Sequence, residues 1–205
     1  MDPTPASPPK SFPARQRRLQ RAPDFTGPRL CHFREVFLRH GLPGLVLAAL
    51  LLLHEAPRTL ALASLERAFA QPSRYALIAS GILVMLLGYG AFQARRLDAP
   101  QIGWTVYLGA LSVWEEVAFR VGVPALLMAY GVGFLPAVLV ANGLFGVMHW
   151  FTLRWRTLWC VTAFLGGLAF SRVLDQRGDL ALVIAFHWIG TFLNTPRPPS
   201  PRVED

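Results

Sequence analysis

The chain has 205 residues, of which 53% are hydrophobic and 16% charged, against about 25% charged in an ordinary soluble domain. The formal net charge is +8, almost all of it arginine, because Lys10 is the only lysine. These arginines sit at the ends of apolar segments, which points to a membrane surface and away from nucleic acid. Two cysteines, Cys31 in a polar stretch and Cys160 in an apolar one, exclude a disulfide framework.

Residues 1–29, rich in Pro, Ser and Arg with no apolar run, are expected to be a disordered basic leader. Arg17 and Arg18 are followed by no apolar run before Gly41, so an export signal is not expected. From Leu30 to His40 the residues Leu30, Phe33, Val36 and Phe37 recur at helical spacing among Arg34, Glu35 and Arg39. The pattern predicts a short amphipathic helix on the membrane surface. Gly41 to about His54 is the first span, and Arg58–Phe69 is amphipathic and interfacial. Tyr75–Phe92 is the second span, and residues 30–100 form an N-terminal unit.

A second unit, 101–195, holds four more spans: Trp104–Tyr130, with Pro124 a kink site, Phe134–Trp150, Leu158–Leu174 and Leu180 to about Asn194. Asp175–Gly178 reads as a tight polar turn, and 196–205 is a Pro-rich tail. The fold class is therefore all-α, a polytopic transmembrane bundle of about six spans with interfacial helices, embedded in a lipid bilayer. Arginines are concentrated on one set of connections, which places both termini in the cytoplasm. Composition suggests a bacterial source, hence the inner membrane. Gly166, Gly167 and Gly190 are expected at close helix contacts.

Ionisable side chains inside spans cost roughly 2.5–3.5 kcal/mol each on insertion scales, so Glu115, Glu116, Arg120, His149 and His187 demand a reason. At about 1.5 Å rise per residue, Glu115 and His149 lie roughly 22–24 Å from the turn that joins their helices, and His187 roughly 13 Å from Gly178. A carboxylate and two imidazoles on three helices are therefore able to converge. Glu116 and Arg120, four apart, share a face and pair. His187, Thr191 and Asn194 form one stripe.

Glu115-Glu116-Val-Ala-Phe-Arg120 matches an EExxxR pattern, and Phe145-Gly-Val-Met-His149 an FxxxH pattern; both, with His187 in the last span, resemble the CAAX-protease and bacteriocin-processing family of intramembrane glutamic endopeptidases. The resemblance covers roughly Trp104–Asn194. It implies that Glu115 and His149 activate water, that His187 with Thr191 or Asn194 holds the oxyanion, and that Glu116 and Arg120 orient Glu115. The sequence departs from the family where Val121 follows the arginine and where Thr191 stands in place of an asparagine. Asn194 and Asn142 are the other polar residues available for that role.

The implied function is hydrolysis of a peptide bond near the terminus of a membrane-associated protein or peptide, with no cofactor. A zinc-dependent variant would use Glu115, His149 and His187 as ligands. A non-catalytic immunity or scaffold protein of the same fold is the main rival. A proton-coupled transporter is less consistent, because no inverted repeat is present.

Overall fold

The computed structural model describes residues 30, 32–94 and 97–199. The leader, Cys31, Arg95, Arg96 and the tail beyond residue 199 lie outside the described residues. The described residues hold seven helices and no strand. Helix α1 is Phe33–Leu52, α2 is Glu55–Ala70 and α3 is Pro72–Ala94. Helix α4 is built from Ala99–Glu116, Val117–Gly122 and Val123–Ala129. Helices α5 (Phe134–Thr152), α6 (Thr157–Arg177) and α7 (Leu180–Asn194) follow. By length and apolarity, α1, α5, α6 and residues Pro72–Phe92 of α3 are able to cross a membrane, while α7 is a shorter apolar helix. With α4 they make the six spans, and the protein is a multi-pass membrane protein.

Helix α4 packs against all six of the others. That position explains how it carries two glutamates and an arginine. Its polar side chains face protein rather than lipid, the arrangement membrane proteins require of intramembrane charge. Leu108, Leu111, Ser112 and every residue from Glu115 to Gly122 are buried. The outer helices turn Leu50, Leu77, Val84, Leu144 and Leu165 outward, as a lipid-facing surface needs.

Local sequence sets the ends. Asp98 accepts from the backbone N–H of Gln101 at 3.0 Å and Asp179 from that of Leu182 at 3.1 Å, capping α4 and α7; each satisfies an orphan donor. Gly178 closes α6 in the left-handed conformation (φ 59°), which glycine adopts without a Cβ penalty. Asp175–Arg177 are thus the last helical turn of α6, not a loop.

Two stretches are π-helical, Phe37–Gly41 in α1 and Val117–Gly122 in α4. Both end on the same sequence, Gly-x-Pro: Gly41-Leu42-Pro43 and Gly122-Val123-Pro124. The backbone N–H of Leu42 reaches back to Phe37 and that of Val123 to Ala118. The proline that follows has no N–H for the carbonyl four residues earlier, and the wider turn absorbs the break. The predicted bend at Pro124 therefore takes the form of a π turn.

Of the segment read from sequence as a surface helix, Leu30–His40, residues 33–40 are continuous with the first span. Val36, His40, Gly44, Ala48 and Leu51 form one buried stripe along α1. The charges of Arg34, Glu35 and Arg39 had suggested a break; they occupy the opposite faces of the same helix.

Candidate active site

The site is assembled around Glu115, at the last α-helical turn of α4 before the π stretch. Its Oε1 lies 2.8 Å from Nε2 of His40 and 4.0 Å from Nε2 of His149; its Oε2 lies 3.5 Å from Nε2 of His187. The His40 contact has the length of a hydrogen bond without its alignment. Glu115 and His40 each expose 1% of their surface. The carboxylate and two imidazoles expected to meet do meet, and a third imidazole joins them from α1.

Each histidine is held through its other ring nitrogen. Nδ1 of His149 is 2.7 Å from the carbonyl of Phe145, one turn back on α5. Nδ1 of His187 is 2.6 Å from Oε1 of Glu116. Nδ1 of His40 is 2.7 Å from the hydroxyl of Thr152, which itself donates to the carbonyl of Met148 at 2.7 Å. A carbonyl and a carboxylate only accept. The Thr152 hydroxyl has one proton, and it is spent on Met148. All three Nδ1 atoms therefore carry hydrogen, and all three Nε2 atoms turn toward Glu115.

Glu116 bridges two elements. Oε1 takes the proton of His187, and Oε2 lies 3.1 Å from Nε of Arg120, again close without hydrogen-bond alignment. Arg120 donates from Nη1 to Oδ1 of Asn142 at 2.9 Å and stacks its guanidinium 4.3 Å from the centre of the Phe145 ring. Asn142 gives one amide hydrogen to the carbonyl of Val138 and the other to the hydroxyl of Ser171. A polar chain thus runs His187–Glu116–Arg120–Asn142–Ser171, tying α7, α4, α5 and α6 together. Gly167 lets α6 approach it: a Cβ there would collide with Oδ1 of Asn142 and stand 3.1 Å from Nη2 of Arg120. Gly166 and Gly190 meet nothing within 4 Å, so of the three glycines expected at contacts only Gly167 is at one.

Asn142, offered from sequence for the oxyanion, has both amide hydrogens committed and none to give a substrate. Asn194 is exposed at the end of α7, and no hydrogen bond joins its side chain or that of Thr191 to the cluster; the Thr191 carbonyl accepts from Thr195. The His187 end of α7 is fixed instead by indoles and an amide. Trp188 donates to the carbonyl of Thr105 at 2.9 Å, Trp104 to that of Thr195 at 2.7 Å and Gln101 to that of Pro196 at 2.8 Å. Trp104 and Trp188 thus serve to hold α7 against α4.

The cluster is closed. Phe145, Phe170 and Trp155 pack on its imidazoles, and the Trp155 ring centre is 4.4 Å from that of His149. Trp155 is carried by the short connection after α5, in which Arg154 has φ 56°. An arginine in that region costs about 1–2 kcal/mol, and the backbone N–H of Trp155 folds back to the carbonyl of His149 at 3.3 Å. A cavity of about 390 Å³ lined by Arg67, Gln176, Arg177, Asp179, Leu182 and Phe186, among others, shares no residue with the cluster.

The metal set read from sequence was Glu115, His149 and His187. The donor atoms that all lie within 4.8 Å of one another belong instead to His40, Glu115 and His149. His40, Thr152, Trp155 and Ser171 were not singled out from sequence. The one signal for His40 was its place in the Val36–His40–Gly44–Ala48 stripe, hidden by cutting α1 at Gly41.

Residues 99–193 match the family model described as Rce1-like, type II CAAX prenyl endopeptidase Rce1-like. The match covers somewhat less than half of the chain and makes this segment similar to the Rce1-like family. It contains Glu115, Glu116, Arg120, His149 and His187, and it ends before Asn194. No curated protein and no solved structure matches the chain. The similarity supports a membrane protease in general terms, consistent with the apolar helical bundle. His40 and all of α1 lie outside the Rce1-like segment.

Proposed function

We propose that this protein is an intramembrane endopeptidase that cleaves a peptide bond near the terminus of a membrane-associated protein or peptide, with water activated by glutamate and histidine. The observation that carries the reading is the convergence of His149 and His187 on Glu115 within the Rce1-like segment. Glu115 takes the proton of the attacking water, with the unprotonated Nε2 of His149 beside it. His187, held by Glu116, faces the developing oxyanion, and Arg120 and Asn142 keep Glu116 in place. Neither Thr191 nor Asn194 is needed for that geometry. Substrate enters by displacing Trp155, whose strained connection makes it the removable part of the cover. The N-terminus and the α5–α6 connection face the cytoplasm of a bacterial cell, following the arginine distribution.

Cells expressing the chain or its Glu115→Gln variant at equal levels test the reading through quantitative mapping of membrane-protein termini. New termini are expected with the unaltered chain only. Identical terminus maps would remove the peptidase and leave a scaffold of the same fold.

One observation favours a metal-dependent version. His40, Glu115 and His149 are two imidazoles and a carboxylate, a donor set suited to Zn²⁺, and their outer nitrogens are held by Thr152 and Phe145, as metal-ligating histidines require. The ion would polarise the scissile carbonyl and acidify a bound water. Cleavage that is lost on chelation and restored by Zn²⁺ selects this version; chelator-resistant cleavage selects the glutamic one.

A further inference from the structure

At the end of α6 away from the Trp155 connection, α2, α6 and α7 enclose the cavity of about 390 Å³ that shares no residue with the cluster. Arg67 comes from α2, Val173, Gln176 and Arg177 from the last turns of α6, and Leu182 and Phe186 from α7; Asp179 lies in the turn between the last two helices. The volume falls within the range of small-molecule sites, about 300–1,000 Å³.

Charge decides what the cavity accepts. Arg67 and Arg177 are exposed, and neither is ion-paired among the described residues. The carboxylate in the lining, Asp179, is buried, and both of its oxygens are engaged. Oδ2 accepts from the Tyr75 hydroxyl at 2.6 Å and Oδ1 from the N–H of Leu182 at 3.1 Å. Glu66 and Asp175, near the arginines in sequence, do not line the cavity. The carboxyl end of α6 and the amino end of α7 meet here, so their dipoles oppose each other, and the two guanidiniums set the sign. Guanidinium is the cation whose planar fork matches the oxygens of a phosphate.

Depth decides the rest. Val173 lies one turn deeper than Arg177, and Phe186 one turn deeper than Leu182, about 6 Å in each case. The wall therefore changes from arginine and Gln176 at the helix ends to hydrocarbon toward the middle of the bundle. Phe186 is exposed on α7, so the apolar end of the cavity opens on the surface that meets lipid. A free phosphate leaves that wall bare, whereas a phospholipid covers it.

We infer that this cavity binds one anionic phospholipid, with the phosphate diester held between Arg67 and Arg177 and an acyl chain lying along Val173 and Phe186. Basic pockets between membrane helices take such headgroups. A zwitterionic headgroup fits less well, because its ammonium meets only a carboxylate already committed to Tyr75 and Leu182. The lipid joins α2 to the end of α6, and its binding is independent of any cleavage chemistry.

Native mass spectrometry of the full chain in detergent micelles, without substrate, tests the site. Phosphatidylglycerol and phosphatidylethanolamine with the same acyl chains compete for the protein. One phosphatidylglycerol is expected to be retained about tenfold more strongly, the order of magnitude that two basic residues supply. Arg67→Gln combined with Arg177→Gln is expected to remove that preference, and each single variant to reduce it. Val173→Trp, which fills the cavity and keeps both arginines, is expected to weaken retention comparably; the two arginine variants, at exposed positions, carry the test if this one does not fold. Arg74, bonded to Gln71, does not line the cavity, and Arg74→Gln is expected to leave the preference intact. Equal loss in Arg74→Gln, or a preference that survives the arginine variants, overturns the inference and leaves only a general attraction of anionic lipid to a basic surface. Displacement of the lipid by inorganic phosphate alone also overturns it, in favour of a free-anion site. Displacement by an apolar peptide with a free C-terminal carboxylate overturns it in favour of a substrate site.

Discussion

Gly166 and Gly167 are neighbours in α6, and replacing each by alanine should have opposite effects. At Gly166 a methyl group meets nothing within 4 Å. Alanine is favoured over glycine in a helix by about 0.5–1 kcal/mol, so Gly166→Ala should be neutral or stabilising. At Gly167 the same methyl collides with Oδ1 of Asn142 and crowds Nη2 of Arg120 at 3.1 Å. Asn142 is unable to swing aside, because it is fully buried and bonded to Arg120, Val138 and Ser171. Relief requires sliding α6 outward or breaking the Arg120–Asn142 bond. Overpacking costs about 1–3 kcal/mol, and a hydrogen bond to a charged group is worth about 1.5–3 kcal/mol. Set against the helix-propensity gain, Gly167→Ala should lose about 0.5–2 kcal/mol net and, because that gain is common to both variants, separate from Gly166→Ala by roughly 1–3 kcal/mol. Thermal unfolding of the two purified variants in one detergent, followed by tryptophan fluorescence, measures the difference. If Gly167→Ala melts at or above Gly166→Ala, the close approach of α6 to the Arg120–Asn142 pair is wrong.

Arg120→Met strips Glu116 of its cation in a fully buried setting. Removing one partner of such a pair costs about 3–5 kcal/mol, and a melt should show more recovery in the double variant with Glu116→Gln than addition of the single effects allows. Tyr75 donates to Oδ2 of Asp179 at 2.6 Å, joining α3 to the start of α7. Tyr75→Phe should cost about 1.5–3 kcal/mol, visible as a lower melting temperature with unchanged terminus maps. Asn194→Ala, at an exposed position with no bond to the cluster, should alter neither melting nor cleavage. Loss of cleavage in that variant would return Asn194 to the oxyanion site.

Much of the bundle was legible because lipid leaves few choices. Runs such as Phe134–Trp150 and Leu158–Leu174 have the length and apolarity of spans, and charges that interrupt such a run, as Glu115 and Glu116 do, have to face other protein. Helical rise alone brought Glu115 and His149 to one depth. His187 was placed some 10 Å off by the same arithmetic, yet it meets them. The reason is that helix ends need not be level: Asp179 at the α6–α7 turn is buried, with Tyr75 as partner. Periodicity failed at His40 for a different reason. A π turn adds a residue to the helical cycle, and charges on both sides of it imitate a surface helix. The closed state of the cluster was not legible either, since it depends on Trp155 being thrown back over His149 by a single left-handed residue.

The fastening at the end of α7 has a consequence for how the chain is free to change. Trp104 and Gln101 grip Thr195 and Pro196 by main-chain oxygens, which any amino acid supplies. The segment leaving the bundle is therefore at liberty to drift in composition, while the indole and the carboxamide that hold it are not. Variation should accumulate on the held side of that clasp and stop at the holding side.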